Sequence, residues 1–181
     1  DWSSDVYSSD LVIAWATQQH MPLFILGSGA NILISDDGFD GLVIRPKLQD
    51  ITHQVAHDRK AQVTAGAGVS LDELIEYCLA HELIGLEEFS GIPGTVGGAV
   101  YINLHYFEFL LSQFLIKAEI IDSNTGIIEC VDNAWFAFGY NTSRLQDKRY
   151  ILVTATFQVQ QADAHAIAYA KGRRAEIVRH R

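Results

Sequence analysis

Ser90-Gly91-Ile92-Pro93-Gly94-Thr95-Val96-Gly97-Gly98-Ala99 is the stretch on which the reading of this chain turns. Four glycines and one proline stand between Gly91 and Gly98. Pro93 has no N–H and a fixed φ, which pushes Ile92 towards an extended conformation. The glycines leave the backbone bare, so another segment or a ligand can approach it closely. Val96, Ala99, Val100 and Ile102 continue the loop as apolar structure, which predicts a buried loop followed by an extended segment over residues 100–103. A buried loop must find acceptors for its N–H groups. Successive amides of this kind can form an anion-binding concavity. A tight surface turn is the plainer reading of the same composition.

A second glycine loop lies upstream. The apolar run at residues 23–26 reads as a buried strand. It passes directly into Gly27-Ser28-Gly29-Ala30-Asn31, and Ile32-Leu33-Ile34 reads as another strand before the turn at Ser35-Asp36-Asp37-Gly38. A Rossmann-type dinucleotide loop should open a long helix, and this one does not, so that reading fails. A ligand loop and an ordinary β-turn both fit the segment.

The 181 residues suit one ordinary domain or two small lobes sharing a core, and nearly half of them are hydrophobic. A net charge of −9 argues against a nucleic-acid or anionic-membrane surface, though it leaves room for an anion site built from uncharged backbone amides. Cys78 and Cys130 lack CxxC spacing and fit a reducing, cytoplasmic setting. No apolar run reaches membrane-spanning length, and the seven histidines show no metal-ligand spacing.

Residues 1–10, with their repeated Ser-Ser-Asp, read either as an acidic cap with Ser9 or Asp10 as N-cap, or as a foreign junction. Leu11, Val12, Ala14, Trp15 and Ala16 suggest a helical face, ended by Pro22. Residues 41–45 read as a strand, and 51–55 with 61–65 as a hairpin. Ser70 and Glu73 form a capping box ahead of a helix burying Leu71, Leu74, Ile75 and Leu79. The aromatic stretch 105–114 admits a short helix or an irregular insertion. Residues 118–122 and 127–131 form a hairpin around Gly126. A long strand over 149–159 puts Tyr150, Leu152, Thr154, Thr156 and Gln158 on one face and Ile151, Val153, Ala155, Phe157 and Val159 on the other. Residues 162–181 form a last helix whose cations Lys171, Arg173, Arg174, Arg179 and Arg181 read as a solvated face at the favourable end of the helix dipole.

Four motifs in this order, Gly27-Ser28-Gly29-Ala30-Asn31-Ile32-Leu33-Ile34, Ala65-Gly66-Ala67-Gly68, Gly91-Ile92-Pro93-Gly94-Thr95-Val96-Gly97-Gly98-Ala99 and Phe138-Gly139-Tyr140, resemble the UDP-N-acetylenolpyruvoylglucosamine reductase family over most of residues 11–181. The resemblance implies an α+β, two-lobed FAD-binding fold of the vanillyl-alcohol-oxidase (PCMH) type. It divides the chain into a first lobe at 11–70, a second at 71–160, and a helix at 161–181 leading to a substrate-binding domain beyond this chain. It implies FAD as cofactor, NADPH as hydride donor and a UDP-sugar substrate: hydride passes from NADPH to flavin and on to the C=C of an enolpyruvyl ether, giving UDP-N-acetylmuramate. It assigns FAD binding to Gly27, Ser28, Gly29, Ala30, Asn31 and Ile32, and to Gly91, Ile92, Pro93, Gly94, Thr95, Gly97, Gly98 and Ala99. Val153 is a candidate for the flavin environment, with core packing as the alternative, and Tyr140 is implied in substrate binding.

Three departures qualify the resemblance. Asn103-Leu104-His105-Tyr106-Phe107-Glu108 stands where the family carries Asn-Ala-Gly-Ala-Tyr-Gly. Asn141 stands where it carries a catalytic Arg, whose fixed cation would stabilise an enolate; Arg144 is the candidate substitute, or else an exposed loop residue. The segment bearing the family's proton-donating Ser is not in this sequence. The chain is therefore expected to bind flavin and to show little or no turnover. A divergent, non-catalytic flavin-binding module is the alternative.

Overall fold

The computed structural model describes residues 12–181 apart from Ala14, Thr17 and His57. The acidic cap or junction expected at 1–10 lies outside the described residues, as do Leu11 and Ala14 of the first expected helical face. Val12, Ile13, Trp15, Ala16 and Gln18 are helical, but Ile13 and Ala16 are the buried pair and Trp15 is half exposed. The inward stripe is thus rotated from the one expected.

After this helical stretch come β1 (Leu23–Ile25), β2 (Leu42–Ile44), β3 (Ile51–Val55), β4 (Lys60–Gly66), α1 (Leu71–Ala80), β5 (Leu83–Ile84) and α2 (Val96–Tyr101). They are followed by β6 (His105–Tyr106), β7 (Phe109–Leu110), β8 (Leu115–Asp122), β9 (Ile128–Asp132), β10 (Tyr150–Gln161) and α3 (Ala164–His180). β1 and β2 pair in parallel as a small sheet of their own. The large sheet is antiparallel, in the order β3-β4-β10-β8-β9, with β5 beside the far end of β10. Residues 11–70 thus contribute strands to both sheets.

β10 is central because it is long and apolar, and it carries two cores rather than one. The register against β8 slips between Leu152 and Thr154, an extra residue that bends the strand and swaps its faces. Leu152, Ala155, Phe157 and Val159 therefore share the main core with Leu74, Phe89 and Val96, while Ile151 and Val153 join Ile13 and Ile121 in a second cluster against Leu23, Ile44 and Leu48. This corrects the strict alternation expected for this strand. A bulge leaves no composition signal, and here it lets one strand bind both sheets together.

Glycines make the junction between the sheets. Gly66 and Gly68 donate their N–H groups to the carbonyls of Asp50 and Leu48 at 3.0 Å each. A methyl at Gly66 would run into the Leu48 carbonyl oxygen, and one at Gly68 would stand 2.6 Å from that of Pro46. The chain that links the small sheet to the large one lies directly on bare backbone.

Other expectations change. Residues 32–34 form no strand: they are irregular and exposed, Leu33 completely so, because β1 pairs with β2 and no described strand offers them a ladder. β1 itself is half-buried rather than buried. The segment expected to be extended at 100–103 is instead the last two residues of α2, its C-cap Ile102 and the left-handed Asn103. Val96, Ala99 and Val100 are spaced i, i+3, i+4, and all three are buried. The stretch expected to hold a short helix or an irregular insertion is the β6–β7 hairpin, turned by Phe107 at φ 49°, with a single 3₁₀ turn at Leu111–Gln113.

α1 starts on the capping box Ser70–Glu73 and buries the expected stripe together with Cys78. α3 departs from a solvated cationic face. Arg173 grips Glu88 in a two-pronged pair at 2.9 and 3.0 Å, and Arg174 reaches Asp72 at 2.6 Å and Glu76 at 3.0 Å on α1. These paired guanidinium groups fasten the helix to the main core.

Candidate functional site

The first glycine loop begins where β1 leaves its ladder. Leu26 still donates to the Ile44 carbonyl at 2.8 Å. Beyond it, the N–H groups of Gly27, Ser28, Gly29, Ala30, Asn31 and Ile32 have no protein acceptor among the described residues. Gly29 sits at φ 79°, a conformation that favours glycine. The result is a short run of exposed backbone donors with the small side chains of Ser28 and Asn31 beside them.

The second loop is different. Its bend is set by Gly91 at φ 73° and Gly94 at φ 156°. Ile92 donates to the Phe89 carbonyl, Val96 to Val69, Gly97 to Ala67, and Ala99 to Thr95. Gly98 donates to the Thr95 hydroxyl at 3.2 Å, the cap of α2. Gly91, Pro93 and Gly98 are exposed, while Val96 and Ala99 are buried. The loop expected to be buried and unsatisfied is half-exposed and largely satisfied, with the amides of Gly91, Gly94 and Thr95 still open among the described residues.

The two loops meet. A methyl on Gly27 would lie 2.8 Å from Thr95 Oγ1. Thr95 accepts from Gly98, so its hydroxyl hydrogen is still available for a group in front of the Gly27 loop. The first loop's open amides thus begin beside a hydroxyl of the second, and Gly27, Ser28, Gly29 and Ala30 carry small side chains or none. Such a cradle suits a diphosphate, whose oxygens accept from several donors at once.

The remaining candidates fall elsewhere. The Val153 side chain is buried in the cluster between the two sheets, and its carbonyl accepts from Ala67 at 2.8 Å. Tyr140 is 79% exposed on a turn closed by the Gly139–Thr142 bridge. Asn141 follows at φ 55°, and its carbonyl accepts from Gln146 at 2.9 Å. Arg144 lies over the Trp135 ring, 5.0 Å from its centroid. Burial pushes the Cys78 thiol up to about 12, which makes it a core residue and no nucleophile.

Sequence reasoning missed Asn103. It is buried at φ 47°, donates to the Gly139 carbonyl at 3.0 Å and accepts from the Ser112 amide at 3.1 Å, joining the Tyr140 turn to the 3₁₀ turn that follows the β6–β7 hairpin. Its signal was available: an Asn two residues beyond a helix end takes the left-handed conformation readily.

A small parallel sheet joined to a large antiparallel one, with two glycine loops in contact at Gly27 and Thr95, defines an α+β domain. The chain belongs to the FAD binding domain family, whose pattern matches residues 9–131. It is similar to the UDP-N-acetylenolpyruvoylglucosamine reductases of Caldanaerobacter subterraneus subsp. tengcongensis, 35% identical over 156 residues, and of Pediococcus pentosaceus, 35% identical over 157 residues. In both cases 86% of this chain and 50% of the relative are aligned, so the chain spans about half the length of the curated relatives it matches. The crystal structure of UDP-N-acetylenolpyruvylglucosamine reductase (MurB) from Thermus caldophilus superposes with a TM-score of 0.74 at 26% identity, over 92% of this chain and 58% of that one. Cholesterol oxidase from Brevibacterium sterolicum shares the fold alone, with a TM-score of 0.64 at 16% identity over 87% of this chain and 33% of that one. The fold is the vanillyl-alcohol-oxidase type that the motifs implied.

Proposed function

We propose that this chain is the FAD-binding portion of a UDP-N-acetylenolpyruvoylglucosamine reductase, which reduces UDP-N-acetylglucosamine enolpyruvate to UDP-N-acetylmuramate with NADPH as donor, in the cytoplasm. The observation that carries the reading is the row of open amides at residues 27–32, which starts at Gly27 against Thr95. Gly27, Ser28, Gly29, Ala30, Asn31 and Ile32 hold one side of the diphosphate. Gly94 and Thr95 hold the other, and Gly91, Ile92, Pro93, Gly97, Gly98 and Ala99 shape the loop that presents them. Hydrogen bonds to a charged group contribute about 1.5–3 kcal/mol each, so a few of them suffice for non-covalent binding. Bound flavin supplies the hydride relay between donor and substrate. Tyr140 lines the substrate side, with Arg144 as the nearest cation in sequence to the Asn141 position.

A second reading, a flavin-binding module without turnover, is favoured by one observation: Asn141 brings no cation and Arg144 is engaged on Trp135. One assay separates the two. FAD titration of the purified chain should give a yellow, saturable complex. In a chain extended to the full length of its relatives, NADPH bleaching that the enolpyruvyl substrate reverses supports the reductase, and bound flavin inert to both supports the module. A folded chain that takes up no FAD refutes both. In the 181-residue chain the expected result is flavin binding with little or no turnover.

A further inference from the structure

Resting on the reductase reading, we propose that His105 and Tyr140 form an anion-recognition pair in the substrate site, His105 being a binding residue that nothing in its motif marks. His105 opens β6, Tyr140 lies in the turn at 139–142, and their rings meet at 4.9 Å between centroids with a 42° tilt. Neither imidazole nitrogen of His105 and no atom of the Tyr140 hydroxyl has a hydrogen-bond partner among the described residues, although His105 is only partly exposed. His53 and His81 behave otherwise: each commits its Nδ1, to the Tyr77 hydroxyl at 2.9 Å and to the Tyr77 carbonyl at 2.8 Å.

The pair is also held in place. Asn103 ties Gly139 to Ser112, the Ser143 hydroxyl donates to the Tyr101 carbonyl at 2.8 Å, and Gln146 donates to the Asn141 carbonyl at 2.9 Å. Both ring-bearing segments are therefore anchored to the end of α2, the helix that starts at Thr95. The hairpin tip adds Phe107, 78% exposed, as an apolar wall, with Glu108 beside it. Arg181 lies over Tyr106 at 4.3 Å and brings positive charge to the same hairpin. An imidazole N–H and a phenol O–H, carried on two rings in contact and without protein partners among the described residues, are two donors suited to one oxyanion. The substrate offers two of these, a carboxylate on its enolpyruvyl group and the diphosphate of its nucleotide.

The test follows the histidine ring resonances while UDP-N-acetylglucosamine enolpyruvate, UDP-N-acetylglucosamine or UDP is added to the chain, with and without FAD. The His105 signal should move saturably while those of His53 and His81 stay in place, and Tyr140→Phe should weaken the apparent affinity about fivefold. A response to the enolpyruvyl compound alone assigns the carboxylate, and equal responses to all three assign the diphosphate; either supports the pair. A His105 signal indifferent to all three, in protein that binds FAD, overturns it and leaves the cofactor reading intact. A chain that binds no FAD but still shows the His105 response defeats the cofactor reading and not the pair.

Discussion

Two loops of nearly the same composition do different work in this molecule. The loop at residues 27–32 is exposed and its amides are open. The loop at 91–99 directs most of its amides to Phe89, Val69, Ala67 and Thr95, and sets Gly97 so close to Ala67 that a methyl would lie 3.1 Å from the Ala67 carbonyl oxygen. Glycine leaves the amides of the first loop open and gives the protein's own backbone access in the second. The second loop brings Thr95 against Gly27, and so builds the wall that the first loop needs.

Hydrogen exchange offers the widest test of this difference. In the FAD-free chain the amides of Gly29, Ala30 and Asn31 should exchange faster than those of Val96, Gly97 and Ala99 by on the order of a hundredfold or more, since the latter open only with the core. Added FAD should slow the first set and leave the second almost unchanged. Equal protection in the two loops would abolish the contrast. Next in size is Gly97→Ala, which forces a methyl on backbone rather than on a flexible side chain. It should cost about 2 kcal/mol in urea unfolding with an unchanged denaturant slope. Wild-type stability there would mean that the second loop is not packed as described.

The contact between the loops gives a third, smaller effect. Thr95→Ala removes the cap of α2 and should cost about 1 kcal/mol. It also removes the oxygen that a methyl on Gly27 would meet at 2.8 Å. Gly27→Ala should therefore be milder in the Thr95→Ala background than in the parent, by about 1 kcal/mol of coupling. Strict additivity would show that the loops do not touch.

Which of these features could be read in the sequence depends on how local their causes are. The Ser70–Glu73 capping box, the β3–β4 and β8–β9 hairpins and the Leu71–Leu74–Ile75 stripe were legible because each is fixed by residues a few positions apart. The four glycine motifs located the loops correctly. The fate of their amides was not legible, because acceptors such as the Ala67 and Val69 carbonyls come from another part of the fold. The same holds for the bulge at Val153, which depends on the register of β8, and for Arg173 and Arg174, whose partners lie 85 and 102 residues upstream. Asn103 was legible in principle, as a left-handed residue after a helix. The helix itself was hidden behind Gly97 and Gly98, poor helix formers that Gly97's contact with Ala67 makes useful here.

Gly29 gives the smallest effect and the finest distinction. Its φ of 79° is one that an L-residue adopts with strain, yet a methyl there would meet only Leu26 Cδ1, at 4.0 Å. The cost of Gly29→Ala is therefore torsional, about 1 kcal/mol of stability. Gly29→Asn should recover part of that loss, because Asn tolerates the left-handed region. FAD affinity separates the two demands placed on the residue. If the loop needs only its backbone shape, Asn should bind FAD better than Ala does. If it needs a bare surface against the diphosphate, Asn should be more stable than Ala and yet bind FAD no better. The second outcome is expected, because the amides at 27–32 are open on the exposed side of the loop, where the longer side chain would stand.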